Sequence, residues 1–82
     1  MKRKQQVYSK SLEVYAVIGA NIARARRNAG LTQTELADMI GAHRVALVYY
    51  ELGKTRFPLH KLERIAKALD IPIWDLLKRG GA

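Results

Sequence analysis

Residues 32–41, Thr-Gln-Thr-Glu-Leu-Ala-Asp-Met-Ile-Gly, constrain the fold more than any other stretch of the chain. They spell out the start, the buried face and the stop of a short helix. Thr32 can cap it, and Glu35, three residues on, completes a reciprocal capping box. Leu36, Ala37 and Ile40 share one narrow apolar face. Gly41 can take the left-handed conformation that ends a helix. A helix this short does not stand alone in water. It has to dock on neighbours, and the next helical run starts just beyond, at Arg44. Two short helices across a tight glycine-containing turn are therefore the expected centre of the fold.

The flanking sequence supplies the rest of a helical domain. Ser9 or Ser11 can start a first helix, along which Leu12, Tyr15, Gly19, Ile22, Arg26 and Ala29 recur at helical steps. Gly30 stops it, and Leu31 is an apolar plug before the Thr32 cap. The second helix covers about 33–40, and the third runs from Arg44 to Leu52 and stops at Gly53. Leu47 and Tyr50 are its expected inward face. Residues 54–57 form a loop, and Pro58 suits the first turn of a fourth helix. Leu59, Leu62, Ile65, Ala66 and Leu69 make that helix amphipathic. Asp70 and Ile71 form a link, and Pro72 opens a last short helix carrying Ile73, Trp74, Leu76 and Leu77. The expectation is an all-α, compact five-helix domain over residues 11–78. A basic, flexible segment is expected at 1–10 and a flexible tail at 79–82.

Composition narrows the function. At 82 residues and 49% apolar, the chain suits one small domain with a modest core. Without cysteine there is no disulfide framework and no thiolate zinc site. His43 and His60 stand too far apart in sequence for a local metal pair, so no metal and no cofactor are expected. No apolar run reaches membrane-spanning length, and the Met1-Lys-Arg-Lys start lacks a signal-peptide core. The expected compartment is the cytoplasm. No Ser–His–acid or Cys–His arrangement is present, and the carboxylates are scattered, which speaks against an enzyme. The net charge of +8 points to a polyanionic partner. Residues 1–31 carry seven bases against one acid, and residues 54–69 carry five against one. Between them, residues 32–53 hold one base and three acids. Basic segments thus bracket a central element that is itself not basic.

Together these residues resemble the lambda-repressor and Cro-like helix-turn-helix family, also called the XRE family. The pattern spans Ile18 to Leu77. It includes Ile22 and Arg26, then Gly30-Leu31-Thr32-Gln33, Glu35-Leu36-Ala37 and Gly41, then Leu47, Tyr50, Glu51, Gly53 and Lys54. Leu62, Ile65-Ala66, Leu69 and Leu76 complete it. The chain departs from the family where His43 replaces the usual Ser or Thr cap of the third helix. It departs again where Val45, Ala46 and Val48 replace residues that are often polar. Pro58 also sits one place later than the common proline.

The resemblance implies double-stranded DNA as partner, with the third helix in the major groove. By position, the implied base readers are Arg44, Val45, Val48 and Tyr49, with His43 at the entrance. Arg44 can fork onto guanine O6 and N7, and Val45 can pack on a thymine methyl. Tyr49 offers a ring and a hydroxyl to a base or a phosphate. Gln33, Lys54, Thr55 and Arg56 are the implied phosphate binders, which set register without reading sequence. Arg26 and Glu51 are implied to form an internal salt bridge between the first and third helices, which removes Glu51 from any catalytic role. Lys2, Arg3 and Lys4 form either an arm along the duplex or a loose tail.

The implied function is a sequence-specific transcriptional regulator, a repressor or autoregulator acting as a homodimer on a palindromic operator. The apolar residues left for a dimer surface are Ile73, Trp74 and Leu77, or Val7, Tyr8, Leu12 and Tyr15. Alternatives that keep the fold are an antitoxin, which would add a toxin partner, and a restriction–modification controller.

Overall fold

A computed structural model describes the backbone of residues 2–79 and the side chains from residue 13 onward. Five helices follow one another: α1 (Lys2–Asn28), α2 (Gln33–Met39), α3 (Arg44–Leu52), α4 (Leu59–Ala68) and α5 (Trp74–Leu77). No strand occurs among the described residues. The helix α1 runs from Lys2, upstream of the start expected at Ser9 or Ser11. No glycine or proline interrupts residues 2–18, and Lys, Gln and Arg favour helix there, so no local signal halts it. The side chains of Lys2, Arg3, Lys4, Val7, Tyr8 and Leu12 lie outside the described residues.

The central pair forms as its sequence dictates. Thr32 Oγ1 accepts from the Glu35 N–H at 3.0 Å, and Glu35 Oε1 accepts from the Thr32 N–H at 2.8 Å. The first three helices then end with one device. A backbone N–H reaches back five residues, from Leu31 to Arg26 O, Ala42 to Ala37 O and Lys54 to Tyr49 O, around a left-handed glycine. Helix α4 closes in the same way, with Ile71 donating to Ala66 O at 3.0 Å. Here the left-handed residue is Asp70, at φ 56°. The segment expected to be a plain link is therefore a helix cap, built on a residue type that tolerates this region better than most.

Each helix contributes a large, fully buried apolar side chain to a single core: Ile22, Leu36, Leu47, Ile65 and Leu76. Ile40, at the end of α2, joins them. Helix α1 packs on α3 and α5, and α2 packs on α3 and α4. Four side chains depart from their expected places. Pro58 caps α4 from outside the first turn, so Leu59 becomes the opening residue and overhangs the core, 66% exposed. Ala29 is exposed because α1 ends at Asn28 and the chain turns away. Ile73 and Tyr15, expected as leftover surface, pack against the core. Trp74 and Leu77 do remain exposed.

Candidate nucleic-acid interface

The interface is organised by how α3 is seated. Gly19 on α1 lies under the last turn of α3, where an added Cβ would come 2.6 Å from the Glu51 carbonyl oxygen. Gly53 closes α3 at φ 69°, and a Cβ there would come 2.5 Å from Ala16 Cα. Two glycines thus let the backbones of α1 and α3 approach more closely than any larger side chain allows. Phe57, buried beyond the loop, locks the same corner. Its ring meets Tyr15 edge-on at 5.2 Å and Tyr50 at 4.9 Å. That anchor holds the short loop carrying Lys54, Thr55 and Arg56.

A polar network fixes the rotation of α3. Arg26 Nε donates to Glu51 Oε2 at 2.6 Å, and its Nη2 donates to Oε1 at 3.2 Å. Arg26 Nη1 donates to the Leu31 carbonyl at 2.8 Å. Gln33 Nε2 donates to Glu51 Oε1 at 3.0 Å. Both ionic side chains are largely withdrawn from water, at 12% and 6% exposure. Three helices therefore converge on one carboxylate, and removing any partner would leave a buried charge or donor short of its bonds.

With that face held inward, the opposite face of α3 looks outward. His43, Arg44, Val45 and Tyr49 are exposed, and Val48 is half-buried. His43 occupies the cap position of α3, yet its side chain makes no capping bond. Lys54 and Arg56 are exposed just past the helix, and Thr55 is half-buried, donating its hydroxyl to the Arg56 carbonyl at 3.3 Å. The Lys54 N–H is spent on closing α3, so only its side chain can meet a phosphate. Gln33 sits at the front of α2, where the capping box leaves the N–H groups of Gln33 and Thr34 unengaged. His43, Arg44, Val45 and Tyr49 are thus exposed along α3, and Lys54, Thr55 and Arg56 follow just past its end. Arg26 and Glu51, by contrast, are largely withdrawn from water.

One polar residue had no sequence signal beyond its place beside the buried stripe of α1. Asn21, 4% exposed, donates through Nδ2 to the carbonyls of Leu76 at 2.9 Å and Lys78 at 2.7 Å. Its Oδ1 accepts from Arg24. It caps the end of α5 and ties the C-terminal turn to α1.

Comparison with known proteins agrees with this geometry. The helix-turn-helix family model matches residues 22–73, and the chain belongs to the XRE family of helix-turn-helix DNA-binding regulators. Among solved structures, it is similar to a hypothetical transcription factor, NHTF, from Neisseria. That match has a TM-score of 0.78 at 30% identity, over 82% of this chain and 77% of that one. It is similar to the restriction–modification controller C.AhdI from Aeromonas hydrophila, with a TM-score of 0.73 at 29% identity, over 76% of this chain and 94% of that one. The clp gene regulator ClgR from C. glutamicum aligns with a TM-score of 0.75 at 25% identity, over 78% and 83% of the two chains. No curated protein matches the chain. Among the described residues no helix is long and apolar enough to cross a membrane.

Proposed function

We propose that this protein is a sequence-specific transcriptional regulator that represses by occupying a palindromic operator as a homodimer. The observation that carries the reading is the seating of α3. Its inward face is bonded through Glu51 to two other helices, and Arg44, Val45 and Tyr49 are left exposed along it. In this reading Arg44, Val45, Val48 and Tyr49 face base edges, with His43 at the groove entrance. Gln33, Lys54, Thr55 and Arg56 hold phosphates and set register. One recognition helix with so few hydrogen-bonding readers gives little discrimination against competing genomic sites, and two-fold repetition doubles it.

The dimer surface best suited to this role is a groove with no α3 residue in its lining. Val14, Leu59 and Leu77 are exposed apolar residues around a groove of about 360 Å³, floored by Tyr15, Ile18, Phe57 and Leu62. Trp74, 66% exposed, is on the same short helix as Leu77. Exposed apolar area of this kind commonly marks an association surface.

Selection of bound duplexes from a random pool, followed by footprinting, tests the reading. The expected product is an inverted repeat with half-site centres about 10 bp apart. Affinity should fall with salt at a log–log slope of roughly −0.9 per neutralised phosphate. A salt-insensitive interaction, or saturation at one protein per asymmetric half-site, would contradict it. A second reading, control of a restriction–modification system, is favoured by the similarity to C.AhdI over most of that protein's length. Adjacent methyltransferase and endonuclease genes would support it, and their absence would remove it.

A further inference from the structure

Helix α3 withdraws the Glu51 carboxylate from water beside its apolar core contact Leu47, and it also exposes a run of apolar side chains. At about 100° per residue, Val45, Val48, Tyr49 and Leu52 fall within one arc of about 100°, opposite the fully buried Leu47. Val45 is 58% exposed, Tyr49 49% and Leu52 56%. No core demand placed these side chains, since α3 already packs through Leu47 and Tyr50. The stripe is bounded by bases, with Arg44 at its start and Lys54 just past its end. An apolar strip between cations suits a surface whose edges are anionic and whose floor offers apolar spots. The major groove is such a surface, and its one apolar group is the methyl on C5 of a pyrimidine.

We infer that the α3 stripe reads C5-methyl groups of pyrimidines in the major groove, with Val45 as the principal specificity-determining contact and Val48 and Tyr49 beside it. This rests on the DNA-binding reading above and adds what the helix selects. Val45 offers carbon alone, so it distinguishes a methylated C5 from a bare one. It does not separate the O4 of thymine from the N4 amine of cytosine. Thymine and 5-methylcytosine therefore present Val45 with the same contact, and the operator half-site contains at least one such pyrimidine under the start of α3.

The test uses the full chain and the duplex recovered by selection, synthesised with single thymine-to-deoxyuracil replacements that delete only the methyl. Wild-type protein should lose about fourfold in affinity at each contacted position, the equivalent of about one buried methylene. Val45→Ala, at an exposed position that leaves the core intact, should weaken binding to the thymine duplex and lose the response to uracil at one position. Where cytosine is placed at that position, 5-methylcytosine should bind wild type about fourfold better than cytosine, again by one methyl. Selective binding that ignores every uracil replacement, or an equal response in Val45→Ala, would overturn methyl reading while leaving the DNA-binding function standing. Failure to recover any preferred duplex would overturn both. Self-association in solution that Val45→Ala abolishes, with no uracil effect, would assign the stripe to a protein contact and overturn the inference.

Discussion

The two faces of α3 answer to different demands, although both carry apolar residues and Leu47 and Tyr50 pack inward in the ordinary way. The face turned inward carries Glu51, a charge withdrawn from water and bonded by Arg26 and Gln33. The face turned outward carries Val45, Tyr49 and Leu52, apolar and about half exposed. The difference separates two kinds of requirement. A buried ionic group must be satisfied within the fold, so Glu51 reports on structure. An exposed apolar stripe is satisfied by nothing within the fold, so it reports on what the helix meets. In a protein whose total stability is only about 5–15 kcal/mol, the first face sets whether α3 is held, and in the function proposed above the second sets what it selects.

The largest expected effect breaks the inward face. Glu51→Ala leaves Arg26 buried without its partner and should cost about 3–5 kcal/mol, read as a fall in the urea midpoint. An unchanged midpoint would mean that the pair contributes nothing. Gly19→Ala attacks the same seating without touching charge. Its methyl would press on the Glu51 carbonyl, so a loss of about 1–3 kcal/mol is expected from overpacking. Both variants should lose more DNA affinity than the fall in folded fraction accounts for, because these contacts also seat α3.

The outward face should behave the other way. Arg44→Ala should leave the melting curve within about 0.5 kcal/mol of wild type, as for surface substitutions generally. It should remove about 1–3 kcal/mol of discrimination between the selected and random duplexes. Equal losses on both duplexes would make Arg44 a phosphate contact. The smallest effect is expected at Lys54→Ala, which should weaken binding to every sequence alike and reduce the salt slope by about 1. A change in sequence preference there would place Lys54 among the base readers.

Much of the fold was legible in the sequence because its boundaries are written in local chemistry. The Thr32–Glu35 box and the glycines at 30, 41 and 53 bound the helices without help from the tertiary structure. The misplacements arise where tertiary geometry decides. Asp70 at a helix end looks like any polar linker residue until Ile71 is seen bonded to Ala66. Leu59 continues a perfect apolar stripe and still overhangs the core, because the stripe outruns the packed region by one turn. Ile73 looks like surplus and is packed. Asn21 carries no pattern, since its partners are backbone carbonyls 55 and 57 residues away. At the interface, periodicity already puts Leu47 and Tyr50 inward and Val45 and Tyr49 opposite Leu47, and the structure adds the bonds of Glu51 that hold that side.

The most direct test of the central claim is to map the amide resonances that shift when the selected duplex is added to uniformly labelled protein. The largest changes should fall on His43 to Tyr49 and on Lys54 and Thr55, with Gln33 and Thr34 also moving. The groove residues Val14, Leu59 and Leu77 should change little beyond what dimerisation alone produces. Shifts concentrated on that groove and absent from the outward face of α3 would contradict the assignment of α3 as the DNA-reading helix.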